Sequence, residues 1–122
     1  MGDRALIIFT DGKDVSPVIY LHWSGSKVPG LLEQHKALMA PRGADVCYAA
    51  ARFAGIAHAT MPDQNLSLGM WNAEANTINA VLGSQADELA QISHGDAGLI
   101  VVDVNDYSWK AFGGYLSARR AA

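Results

Sequence analysis

At 122 residues, half of them apolar and only 17% charged, the chain suits one globular domain with a modest core. Nine Lys and Arg against twelve Asp and Glu leave a net charge of −3, which gives neither a basic field for nucleic acid nor the dense carboxylate runs of a DNA mimic. Cys47 is the only cysteine, so an intramolecular disulfide and zinc sites built on cysteine pairs are excluded.

The N-terminal "MGDRALIIFTDG" holds five consecutive apolar residues before Thr10, too few for a signal peptide or a membrane span. A cytoplasmic protein without a membrane partner is expected. "ALIIFTD" (5–11) reads as a strand closed by the turn signals of "DGKDVSP". "VIYLHW" (18–23) follows as its antiparallel hairpin partner. Alternation puts Ile19, Leu21 and Trp23 on one face and Val18, Tyr20 and His22 on the other. That strand ends in "YLHWSG", where an imidazole and an indole stand side by side before a glycine break. Such a corner either seals the sheet by packing or recognises something.

Pro29 suits the first turn of a helix carrying Leu31, Leu32, His35, Leu38 and Met39 at helical spacing. "APRGAD" stops it, and Asp45 is placed to cap a second helix, "VCYAAARFAGIAHATM", that Pro62-Asp63 would end. "LSLGMW" (66–71) alternates, with Leu66, Leu68 and Met70 inward and Trp71 outward. Residues 72–93 are ambiguous. A helix from about Gln85 to Ile92 is expected there, opened by Ser84 and Asp87 and closed by His94-Gly95. "LIVVDV" (99–104) is the clearest strand, and "NDY" turns it into "SWKAF" (108–112).

The order β-β-α-α-β-(α)-β-β predicts an α+β fold. Its antiparallel sheet would have about five strands, two terminal hairpins plus one central strand, with two to three helices on one face. The expected division is a single domain over 1–114 and a short tail over 115–122. One layer of helices would leave an apolar sheet face open, which favours a homodimer.

Arg52 is the most informative side chain, because the helix around it is apolar on most of its circumference. Asp45, Tyr48 and Arg52 share a stripe at spacings of three and four. A guanidinium there needs an acid, Asp45 or Asp103, or an anionic ligand held with Tyr48 beside it. Asp103 interrupts an apolar strand and is expected to pair with Arg52 or His22. Cys47 is expected to be a packing residue.

The phosphate-loop, dinucleotide, serine-elbow and zinc-protease signatures are all missing, and His22, His35, His58 and His94 have no ligand spacing among themselves. Neither a cofactor nor a metal is expected.

The combination "IIFTDG…YLHWSG…YAAARF…LSLG…IVVDV" resembles small uncharacterised proteins carried by phages, prophages and plasmids. The similarity spans about residues 6 to 105. The resemblance implies a non-enzymatic mobile-element accessory protein that acts against host defence. It would block a CRISPR or other effector, or sequester a signalling nucleotide. For such a ligand the expected contacts are Arg52, His22, Tyr48, Trp71 and Asp103. For an interface they are Tyr20, Trp23 and Trp109. Two alternatives stand beside this: a small hydrolase or isomerase with His22, Asp103 and Arg52 in one pocket, and a structural subunit of an oligomeric assembly.

Overall fold

A computed structural model describes residues 3–60, 66–93 and 95–118. The described elements run β1 (Ala5–Thr10), β2 (Val18–Leu21), α1 (Val28–Met39), α2 (Val46–Thr60), β3 (Leu68–Trp71), α3 (Ala75–Leu82), α4 (Ala86–Ile92), β4 (Gly98–Asp103) and β5 (Ser108–Phe112). The fold is α+β, with five strands in the order β3-β2-β1-β4-β5.

The sheet is mixed rather than antiparallel. β1 pairs antiparallel with β2 from Ala5–Leu21 to Ile7–Ile19, but runs parallel to β4 from Ala5–Gly98 to Thr10–Asp103. β2–β3 and β4–β5 are antiparallel. The reason lies in β1 and β4 themselves. All six residues of β1 are buried, as are four of the six in β4, so both strands need cover on both faces. Adjacent central strands of a doubly covered sheet satisfy that demand.

The helices accordingly lie on both faces, not one. On the first face Ala5, Ile7, Phe9, Ile19 and Leu21 pack with the buried sides of α1 and α2, including Leu31, Leu32, Ala50 and Phe53. On the second, Leu6, Ile8, Val18 and Leu99 pack with Ala80 and Val81 of α3 and Leu89 of α4. Helix α3 is the element the sequence left ambiguous. Its Thr77, Ala80 and Val81 form a buried stripe of helical spacing.

Local chemistry sets the ends. Asp45 Oδ1 accepts the Tyr48 N–H at 3.0 Å, the expected cap of α2. Ser84 does not cap α4; it takes a left-handed φ of 52°, and Gln85 holds the N-cap position without a side-chain bond. The closing signals Pro62-Asp63 and His94 lie outside the described residues. The segment expected as a tail begins with a 3-10 turn, Tyr115–Ala118, whose Leu116 is fully buried in the first core. Among the described residues no helix is long and apolar enough to cross a membrane.

Candidate functional site

The "YLHWSG" corner divides between packing and presentation. Ser24 and Gly25 are buried, and a Cβ on Gly25 would stand 2.6 Å from the Ala97 Cβ and 2.8 Å from the Asp3 carbonyl oxygen. That carbonyl accepts the Gly25 N–H at 2.7 Å. Asp3 also accepts the Ser26 N–H at 2.9 Å and the Tyr115 hydroxyl at 2.6 Å. Burial, then the Asp3 carboxylate, push the Tyr115 phenol up to about 12.

His22 and Trp23 face outward from this fixed corner. The His22 backbone continues the ladder on both sides, its carbonyl accepting from Asp3 at 2.8 Å and its N–H donating to Ser67 at 3.1 Å. The Tyr20 hydroxyl bonds to His22 Nδ1. The Trp23 ring meets the His22 ring edge-on at 4.4 Å, and the Trp71 ring lies 5.6 Å from Tyr20. Gly69 opposes Tyr20 across the β2–β3 ladder, which leaves the larger ring room over the strand. The Arg4–Asp96 pair stands beside the cluster, with Nε 2.9 Å from the carboxylate. The Arg4 side chain and its backbone N–H hold the Asp96 carboxyl below the usual range, and a charged His22 acts in the same direction.

Four of the expected residues thus meet at one place: Tyr20, His22, Trp23 and Trp71. The other expected contacts lie elsewhere. Asp103 pairs with Thr10 at the far end of β1, whereas His22 lies beyond the Ala5 end. Seven residues of strand put the two roughly 20 Å apart. Arg52 is exposed on α2, across the sheet from His22. The pocket weighed for His22, Asp103 and Arg52 is therefore not formed.

Arg52 meets neither Asp45 nor Asp103. Its guanidinium lies 5.8 Å from the Tyr48 ring centroid, and Arg42 stacks closer, at 3.5 Å. It is Arg42 that reaches Asp45, at 3.7 Å. Arg42, just outside the helix, was the missed member of this group; its three-residue spacing from Asp45 was the available signal. Cys47 is exposed rather than packed. Asp103 bends its Oδ1 back to accept the Asn105 N–H at 2.9 Å, a local turn rather than an ion pair. Trp109 is half-buried against the first core from β5 and contributes to packing.

Compared with protein-family models, curated proteins and solved structures, the chain matches none. What the surface offers must be argued from its own residues. Among the described residues no group of three His, Cys, Asp or Glu side chains is placed to hold a metal ion. The aromatic corner itself has the composition of a recognition surface. Trp23 and Trp71 keep 46% and 44% of their surface exposed, while Met70, opposite Ile19, stands on the other face of the sheet at 47%.

Proposed function

We propose that this chain is a binding protein that acts by occupying a protein partner through the aromatic corner of β2 and β3. The observation that carries this reading is the joint exposure of Trp23 and Trp71 beside the Tyr20–His22 pair. Tryptophan and tyrosine anchored on a rigid scaffold dominate the energetics of many interfaces. Gly25 and the ladder on both sides of His22 supply that rigidity here. With the resemblance of its motifs to mobile-element proteins, the partner is an effector of host defence and the outcome is inhibition.

The test is infection of cells carrying an active defence system, with and without the protein, followed by its recovery with bound partners. Wild type is expected to restore infection and retain one stoichiometric host protein. A folded Trp23→Ala/Trp71→Ala variant is expected to lose both. Equal protection by the two forms would remove the corner from the function.

A second reading, sequestration of a signalling nucleotide, rests on Arg42 and Arg52 flanking the exposed Tyr48 ring. Two guanidiniums beside a π-face suit phosphate and base together. Titration with cyclic and linear nucleotides, using Arg42→Ala and Arg52→Ala as controls, decides it.

A further inference from the structure

We infer that a separate cavity, at the opposite end of the sheet from the aromatic corner, binds a free α-amino acid with an apolar side chain. Its volume is about 300 Å³. That is the low end of the range for small-molecule sites, roughly 300–1,000 Å³, and it limits the guest to a small molecule.

The cavity lies on the second face of the sheet, over the β4–β5 ladder. Beyond their carboxyl ends β1 and β4 are bridged, the Val104 N–H donating to the Thr10 carbonyl at 2.9 Å and Asn105 Nδ2 to the Asp11 carbonyl at 2.8 Å. The turn between α3 and α4 roofs the β4–β5 face, with Val81 and Leu89 as apolar walls over Val101.

Two opposite charges share the cavity. Asp103 opposes Ser108 and Val101 opposes Lys110, so Asp103 and Lys110 are diagonal neighbours on one face of β4–β5. Such diagonals are about 7–8 Å apart at Cα, within mutual reach of long side chains. Yet among the described residues neither forms an ion pair. Asp103 Oδ1 accepts the Asn105 N–H at 2.9 Å, and the Asp103 side chain lines the cavity. A ligand with a single charge would engage only one of the two groups. A zwitterion satisfies both, its ammonium at Asp103 and its carboxylate at Lys110, with the side chain against Val81 and Leu89. The pairing is mutual, so capping either end of the ligand should cost affinity.

The experiment is calorimetric titration of the full chain with L-leucine, N-acetyl-L-leucine and L-leucinamide. L-Leucine is expected to bind, with each capped form at least about tenfold weaker. Asp103→Asn keeps an oxygen for the Asn105 N–H and should erase the preference over the N-acetyl form. Lys110→Gln, at an exposed position, should erase the preference over the amide. Trp23→Ala/Trp71→Ala should bind L-leucine as wild type does, which separates this site from the proposed interface. No binding of L-leucine at about 10 mM, well beyond the ~1 mM of weak ligands, overturns the inference. So does equal binding of the three compounds by wild type. If Asp103→Asn fails to fold, the wild-type panel and Lys110→Gln still decide the matter.

Discussion

The Tyr107 hydroxyl lies 2.6 Å from Nδ1 of His35, and this bond closes the first core over an imidazole that is wholly buried. The other ring nitrogen, Nε2, is 2.8 Å from the Ala49 carbonyl, which can only accept. In the neutral ring Nε2 therefore carries the proton, and Nδ1 accepts from the phenol, whose one proton is shared with the Leu32 carbonyl at 3.1 Å. Phe9 and Phe53 pack on the ring at 4.9 and 5.7 Å. The bond ties α1 to the β4–β5 turn, and Ala49 ties α1 to α2.

Burial lowers the His35 pKa below its ordinary 6.5, more than the Ala49 carbonyl raises it. On acidification the unfolded chain takes up this proton first. The His35 contribution is thus complete above about pH 6.5 and declines as pH falls through the folded-state value. Urea unfolding at pH 7.5 and pH 5.5 should show a lower midpoint at the acid end, and His35→Leu should flatten that part of the dependence. An unchanged slope in the variant would assign the acid sensitivity to other groups.

Removing the phenol oxygen isolates the same contact. Tyr107→Phe leaves Nδ1 without its donor in a dry core, at a cost of about 1–3 kcal/mol. Burial also holds the Tyr107 phenol well above its usual range, so the phenol stays protonated and alkaline pH up to about 10 should not mimic the variant. Paired denaturation curves of wild type and Tyr107→Phe at pH 8 and pH 10 check both statements.

Glycine substitutions should change sign with position. At Gly25 a methyl group would collide with Ala97 and the Asp3 carbonyl, and overpacking of this kind costs about 1–3 kcal/mol. Gly30 in α1 and Gly55 in α2 have nothing within 4 Å of an added Cβ. Gly30→Ala and Gly55→Ala should therefore each stabilise by about 0.5–1 kcal/mol through helix propensity. Thermal melts of the three variants make the comparison, and a destabilising Gly30→Ala would contradict the open surroundings.

How much of this was legible in the sequence can be seen element by element. Strand limits, the Asp45 cap and the two outer hairpins follow from alternation and turn residues. The central parallel pair was also written there, in "ALIIF" and "LIVV", runs without alternation that only double cover explains. Pairing each strand with its neighbour in sequence hid it. Helix α3 was obscured by Asn72, Asn76 and Asn79, residues that favour turns. Arg52 misled for a different reason. Ala51 and Ala59 lie on the exposed side of α2, where alanine supports the helix by propensity and need not be buried. Counting them as apolar made an exposed arginine look enclosed. Tyr20, His22, Trp23 and Trp71 could be suspected singly, but their meeting depends on the β2–β3 register.

Arg52 should accordingly matter little to the fold. It is exposed and its one described contact is a distant ring, so Arg52→Ala should shift stability by no more than about 0.5 kcal/mol. Arg42→Ala, which loses a stacked guanidinium at 3.5 Å, should cost about 0.5–1 kcal/mol. Urea midpoints rank the two, and the reverse order would place the structural weight on Arg52.

The outer strand carries the last expectation, which concerns self-association. Edge strands are commonly protected by lysine, proline or a covering element. β3 has the sequence Leu-Gly-Met-Trp, with no charge along it, and among the described residues it pairs only with β2. β5, the opposite edge, carries Lys110 at its centre. A second copy aligned antiparallel along β3 would continue the sheet and cover Met70 on the face of α1 and α2, while the Trp71 ring stays on the other face, in keeping with the two-fold symmetry usual for such pairs. Sedimentation over a wide concentration range should then reveal a dimer that Met70→Lys reduces by at least about tenfold in association constant, as a buried charge would. Lys110→Ala should leave the monomer–dimer balance unchanged. Were the wild type a monomer at every concentration, the β3 edge would not be a site of self-association, and the unprotected strand would be left open to a different protein.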